Sequence, residues 1–133
     1  MAYLLGLDLG TSSLKGLVFD HSGNLIDTAS ADYPLSSPRP GFSEQDPNHW
    51  RQAAHAVIKA LIDKVPELRK ELIGISFSGQ MHSLVLLDEQ NKVIRPAILW
   101  NDVRTTKQCQ RITEEMPEIL SITKNIALEG FTL

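Results

Sequence analysis

Apolar and polar positions along the chain follow two periods, and the change between them marks its elements. Tyr3–Leu9 is an almost unbroken apolar run and predicts a buried strand. In Leu14–Asp20, Leu14, Gly16 and Val18 alternate with Lys15, Leu17 and Phe19, a second strand with both faces covered. Asp20-His21-Ser22-Gly23-Asn24 is a turn cluster that leaves His21 in solvent. Leu25–Asp32 reads as a third, more polar and more exposed strand. Three strands joined by short turns predict an antiparallel meander.

The period then shifts. Pro34, Pro38, Pro40 and Gly41 make Tyr33–Gln45 a loop. Asp46-Pro47 starts a helix, with a carboxylate at the N-cap and proline at the first helical position. Trp50, Ala54, Val57, Leu61 and Val65 line its apolar face; Arg51, His55, Lys59 and Asp63 line the polar one. His55 is therefore read as solvated, and Pro66 ends the helix. Leu72–Phe77 is apolar and β-branched, which predicts a central strand. Shorter strands are expected over Ser83–Leu87, Val93-Ile94 and Pro96–Trp100. Asn101-Asp102 offers an N-cap for a helix over Val103–Met116, with Val103, Cys109, Ile112 and Met116 as its apolar positions. Pro117 breaks that helix, Glu118–Lys124 adds a turn or two, and Asn125–Leu133 has no clear character.

No repeat or linker interrupts this order, so one folding unit is expected. A meander, a helix and a further central strand predict an α/β chain with a ribonuclease H-like mixed sheet covered by helices. The 133 residues suffice for about one domain. A net charge of −3 without a basic stripe argues against nucleic acid as a partner. One cysteine, Cys109, excludes an internal disulfide framework and suits a reducing compartment. It reads as a small apolar helix residue. No run is long enough to span a bilayer and no signal-type segment leads the chain, so a cytoplasmic protein that does not meet membranes is expected.

Candidate chemistry falls on three loops, each at the end of an apolar run, where α/β sheets bind ligands. Asp8 sits in an otherwise apolar strand. Burying its charge unpaired is expensive, so it is expected to emerge facing a cation or polar ligand. Gly10 permits close backbone approach, while Thr11, Ser12 and Ser13 supply hydroxyl and amide donors and Lys15 a positive charge. The same residues also suit an ordinary hairpin turn. The spacing is not that of a Walker A loop. The second loop presents Gln80, Met81 and His82 after a glycine. His82 suits a packed or capping role as well as a ligand contact. The third presents Trp100, Asn101, Asp102 and Arg104, a set suited to a polyol, although Arg104 can equally pair with a carboxylate on its own helix. A nucleophile elbow is missing because Ser78 stands where glycine is needed. No zinc motif is present.

Gly6-Leu7-Asp8-Leu9-Gly10-Thr11-Ser12-Ser13-Leu14-Lys15 resembles the first phosphate loop of the actin-like ATPase superfamily. Pro40–Pro47, Gly74–His82 and Leu99–Thr105 resemble segments of the FGGY carbohydrate kinases. The four segments lie in family order over essentially the whole chain. The Gly79-Gln80-Met81-His82 form is most similar to the members that phosphorylate D-xylulose, whereas glycerol kinases carry Arg-Glu in place of Met81-His82. The resemblance implies ATP and Mg²⁺ as cofactors and a small sugar as substrate. Asp8 would lie by the metal and the transferring phosphate; Thr11, Ser12, Ser13 and Lys15 would line the ATP phosphates. Met81 and His82 would contact the sugar, with Asn101 and Asp102 in or beside its pocket. The implied reaction moves the γ-phosphoryl group of ATP to the 5-hydroxyl of D-xylulose; gluconate or another pentulose is the alternative substrate.

Family members are longer and close two such domains over a cleft. The chain is thus expected to be the N-terminal part of the first domain, with the general base, second phosphate loop and adenosine pocket outside it and Asp102 not the base. Two consequences are expected: no turnover by this portion alone, as for a non-catalytic module retaining part of a cleft, and a homo-oligomer formed through apolar surface left uncovered.

Overall fold

A computed structural model describes residues 2–130. Met1 and residues 131–133 lie outside the described residues, and with them the end of the Asn125–Leu133 stretch. The chain forms two compact units where one was expected: Met1–Pro34 with Asn48–Gln80, and Leu35–Pro47 with Met81–Leu133. Two of the three breaks fall directly after a proline, Pro34 and Pro47.

The first unit is built on β1 (Tyr3–Leu9), β2 (Ser13–Asp20) and β3 (Leu25–Asp32), the expected meander. Leu5, Leu7, Leu14 and Val18 are buried beneath helix α1 (Pro47–Lys64), which presents Ala53, Val57 and Leu61. Fully burying residues such as Val57 and Leu61 contributes roughly 1.5–3 kcal/mol each. A Cβ on Gly16 would lie 2.5 Å from Val57 Cγ1, so glycine lets the helix settle directly on β2. The polar face of α1, including His55, is exposed as expected, as is His21. After Pro66 a short helix α2 (Leu68–Glu71), absent from the sequence reading, buries Leu68.

β5 (Leu72–Gly79) pairs parallel with β1, giving the order β3-β2-β1-β5. The mixed sheet of the predicted ribonuclease H-like arrangement is thus present. β5 is nevertheless an edge strand among the described residues, not a central one. Its Ile73, Ile75 and Phe77 share one face and are 68%, 47% and 76% exposed. Their apolar character reads as centrality, although no described element covers them.

In the second unit β4 (Glu44–Gln45) pairs antiparallel with β6 (Ala97–Ile98). The strands expected over Ser83–Leu87, Val93-Ile94 and Pro96–Trp100 shrink to β6 and the single bridges Leu84–Ile98 and Leu87–Val93. Helix α3 (Thr106–Glu115) buries Cys109 and starts three residues later than expected. Its N-cap is Thr105, without a side-chain cap bond, and the Asp102 carboxylate expected to cap it accepts from Ser43 and Arg104 instead. Val103 and Met116, expected on its apolar face, are exposed. Helix α4 (Ile119–Thr123) follows Pro117.

Candidate functional site

The first unit carries the Asp8–Lys15 group as the closing end of a β-hairpin. Asp8 stands opposite Lys15 and Leu9 opposite Leu14, and Gly10 N–H donates to Ser13 O at 2.9 Å. The plain hairpin reading is therefore correct in its geometry, and the donors sit on that hairpin. Register then sets out a row across the whole sheet. Ser78 pairs with Asp8, Asp8 with Lys15, and Lys15 with Ser30, so the four share one face. That face is opposite the one carrying Leu5 and Leu7, and Asp8 and Lys15 are exposed on it. Farther back the same face carries Leu4 and Phe19. Polarity thus rises toward the C-terminal ends of β1 and β5, where α/β sheets place ligands.

Two side chains that sequence reasoning did not link to this turn brace it. Tyr33 is buried; its hydroxyl donates to Gly10 O and its N–H to Ser12 O at 3.1 Å. Burial, assisted by the nearby Asp8 charge, pushes the Tyr33 phenol up to about 12, so it remains a donor. Just past the end of β5, Gln80 N–H donates to Leu9 O at 2.9 Å and its Nε2 to Gly10 O at 3.4 Å. The turn that exposes Ser12 and half-buries Thr11 and Ser13 is fixed from both sides. Tyr33 and Gln80 touch it from 23 and 70 residues away, distances no local motif reveals.

The donor set at Asp8 is one exposed carboxylate with hydroxyls nearby. No group of three His, Cys, Asp or Glu suited to a metal occurs among the described residues. This fits a Mg²⁺ that keeps most of its waters and arrives on nucleotide phosphates, and does not fit an all-protein metal cage.

The second unit carries the remaining candidates. Met81 and His82 are exposed, and His82 adopts φ 66°, a left-handed conformation uncommon outside glycine that Asn91 and Lys124 share. Asn101 is exposed; Asp102 is 1% exposed. Asp102 Oδ2 accepts from Ser43 N–H at 2.7 Å and from Arg104 Nη2 at 2.6 Å, while Oδ1 accepts from Arg104 N–H and Nε. Burial pushes the Asp102 carboxyl up, but the Arg104 guanidinium and the Ser43 and Arg104 N–H groups outweigh it, and the carboxyl lies below its usual value. Arg104 also meets Glu44 Oε1 at 2.8 Å and lies 3.9 Å over the Phe42 ring. Its guanidinium is held above its ordinary value chiefly by the Asp102 bond, with burial opposing and Glu44 assisting. Instead of the expected carboxylate on its own helix, Arg104 pairs with Asp102 and Glu44, both outside helix α3. Asp102 and Asn101 are sequence neighbours with different surroundings: the carboxylate faces protein, the amide residue solvent.

The description "FGGY family of carbohydrate kinases, N-terminal domain" matches residues 3–133. The chain is 58% identical to the xylulose kinase of Lactococcus lactis subsp. lactis strain IL1403, over 100% of this chain and 27% of that protein. It is 36% identical to the gluconokinase of Bacillus subtilis strain 168, over 86% of this chain and 22% of that one. The solved xylulose kinase of Rhodospirillum rubrum superposes with a TM-score of 0.90 at 31% identity, covering 96% of this chain and 27% of that one. The chain therefore spans about a quarter of the length of the curated relatives it matches.

Proposed function

The chain belongs to the FGGY family of carbohydrate kinases, and on that premise we propose that it supplies the phosphate-holding surface and part of the sugar-holding surface of an ATP-dependent kinase. The observation that carries the reading is the row Ser78–Asp8–Lys15 beside a braced hairpin turn of hydroxyl and amide donors. Phosphoryl transfer needs its oxygens held in place and their charge balanced, and little else from the protein. In this reading Thr11, Ser12 and Ser13 donate to the ATP phosphates and Lys15 balances their charge. Asp8 would hold Mg²⁺, which would supply charge neutralisation for the phosphate oxygens. Met81, His82 and Asn101 contact the sugar, and Asp102 shapes the pocket from behind.

The substrate proposed is D-xylulose, phosphorylated at its 5-hydroxyl, which the 58% identity to a xylulose kinase supports over gluconate. Turnover belongs to a longer polypeptide, because the relatives extend well beyond the matched part. A cytoplasmic location and self-association through the uncovered Ile73, Ile75 and Phe77 face complete the proposal.

Kinetics of the complete polypeptide with ATP and D-xylulose test it. Asp8→Asn is expected to lower kcat roughly a hundredfold while the sugar KM moves by less than about twofold. His82→Ala is expected to raise the sugar KM about tenfold, equivalent to about 1.4 kcal/mol, with the ATP KM unchanged. Equal losses in kcat and sugar binding for Asp8→Asn would refute its phosphate role. The 133-residue chain alone is expected to give no phosphorylation above a blank.

A further inference from the structure

Trp100 and Asn101 are the central residues of a four-residue turn, closed by Asp102 N–H donating to Leu99 O at 3.0 Å. The ends of the turn are buried, Leu99 at 0% exposure and Asp102 at 1%, while Trp100 and Asn101 project into solvent. Three supports meet behind it. Leu99 N–H donates to Ser43 O at 3.0 Å and Val103 N–H to Gly41 O at 2.9 Å, tying both flanks to one short segment. Asp102, Arg104 and Glu44 form an ion cluster that joins the turn to the same segment. Gly130 closes the back: with φ 68°, a Cβ there would lie 2.1 Å from Trp100 O.

An exposed polar loop tip does not need this much support in order to fold. Such support is what a side chain needs when it must be held within a fraction of an ångström of a ligand. Arg104 itself has little left to offer a ligand. Its Nε and Nη2 donate to Asp102, its Nη1 meets Glu44, and one face lies on Phe42.

We propose that Arg104, acting with Glu44, is a positioning residue that fixes the Leu99–Asp102 turn so that Asn101 meets the sugar hydroxyls, without touching the sugar itself. The proposal rests on the sugar-kinase reading above. It makes sugar affinity depend on a charge cluster on the buried side of the turn.

The test has two arms. In the complete polypeptide, Arg104→Met and Glu44→Gln are expected to raise the D-xylulose KM between about ten- and a hundredfold, with the ATP KM unchanged and kcat falling less than KM rises. Arg104→Lys, which keeps the charge but loses the planar fork, is expected to recover part of that affinity. In the 133-residue chain carrying Trp50→Phe, Trp100 is the only indole, and its quenching by acrylamide is expected to rise in Arg104→Met. An unchanged sugar KM in folded variants overturns the proposal, whether or not quenching rises. If the unsubstituted polypeptide phosphorylates another sugar and not D-xylulose, the substrate assignment fails and the same KM comparison is made with that sugar. If it phosphorylates none, the sugar-kinase reading fails; unchanged quenching then overturns the positioning role, and raised quenching supports its turn-holding part. Should Arg104→Met not fold, Glu44→Gln, which leaves the Arg104–Asp102 pair intact, decides the matter.

Discussion

The two units hold their exposed turns by different means. Gly10–Ser13 in the first is fixed by ladder hydrogen bonds and two neutral side chains, Tyr33 and Gln80. Leu99–Asp102 in the second is fixed largely by buried charge. Neutral bonds lose about 0.5–1.5 kcal/mol when removed, whereas breaking a buried ion pair strands its partner and costs about 3–5 kcal/mol. The first unit can rely on weak fasteners because a helix is packed beneath its sheet. The second has strands of only two residues, and its turn adds the ion cluster to the backbone bonds Leu99–Ser43 and Val103–Gly41.

The largest expected effect follows from that contrast. Asp102→Asn leaves Arg104 with Glu44 alone and weakens the acceptor for Ser43 N–H; it is expected to cost about 3 kcal/mol in denaturant unfolding of the second unit. A loss below about 1 kcal/mol would put both turns in one class. The Asp102 carboxyl is depressed in the fold, against an unfolded value of about 3.9. Its contribution is therefore complete above about pH 5 and is lost as pH falls below the unfolded value toward the folded one. The unfolding midpoint of Asp102→Asn should show a shallower acid slope than the unsubstituted chain.

A smaller effect is expected in the first unit, at the opposite end of the pH scale. Tyr33→Phe removes the donor to Gly10 O at a cost of about 1 kcal/mol. The Tyr33 phenol is raised from 10.0 to about 12, so the fold holds its proton more tightly than the unfolded chain does. Its contribution is full below about pH 10 and disappears as pH rises toward about 12. Absorbance titration of phenolate should lose its late phase in Tyr33→Phe. The same phase should move to lower pH in Asp8→Asn, which removes the neighbouring charge.

The smallest effect is a control. Lys59 and Asp63 pair at 2.7 Å on the solvent face of α1, with side chains 78% and 55% exposed. Lys59→Ala should leave the unfolding midpoint unchanged in moderate salt, since exposed pairs are screened and offset by side-chain entropy. A shift comparable to that of Asp102→Asn would mean that burial does not govern the comparison.

The same contrast separates what the sequence discloses from what it hides. β1, β2, β3 and α1 follow from alternation and from the spacing of Val57, Leu61 and Val65, because a large core enforces those periods. β5 is misplaced because Ile73, Ile75 and Phe77 report only that the strand is apolar, and an uncovered edge reads the same as a covered centre. The second unit is legible in its helices, which lie within the expected Val103–Met116 and Glu118–Lys124, and not in its strands. Its strands contribute two residues each, and its organising contact joins Glu44 to Arg104, which no periodicity connects. The hairpin donors are legible as a local motif; Tyr33 and Gln80, which hold them, are not.

Gly6 lies two residues before Asp8 on the face of β1 that carries the polar row, and a Cβ built there meets no atom within 4 Å. The chain has a single cysteine, and it is buried. Gly6→Cys would therefore create one reactive thiol on open sheet surface, beside the turn and clear of the core. A nitroxide or fluorophore attached there becomes a spectroscopic ruler on the Asp8 neighbourhood.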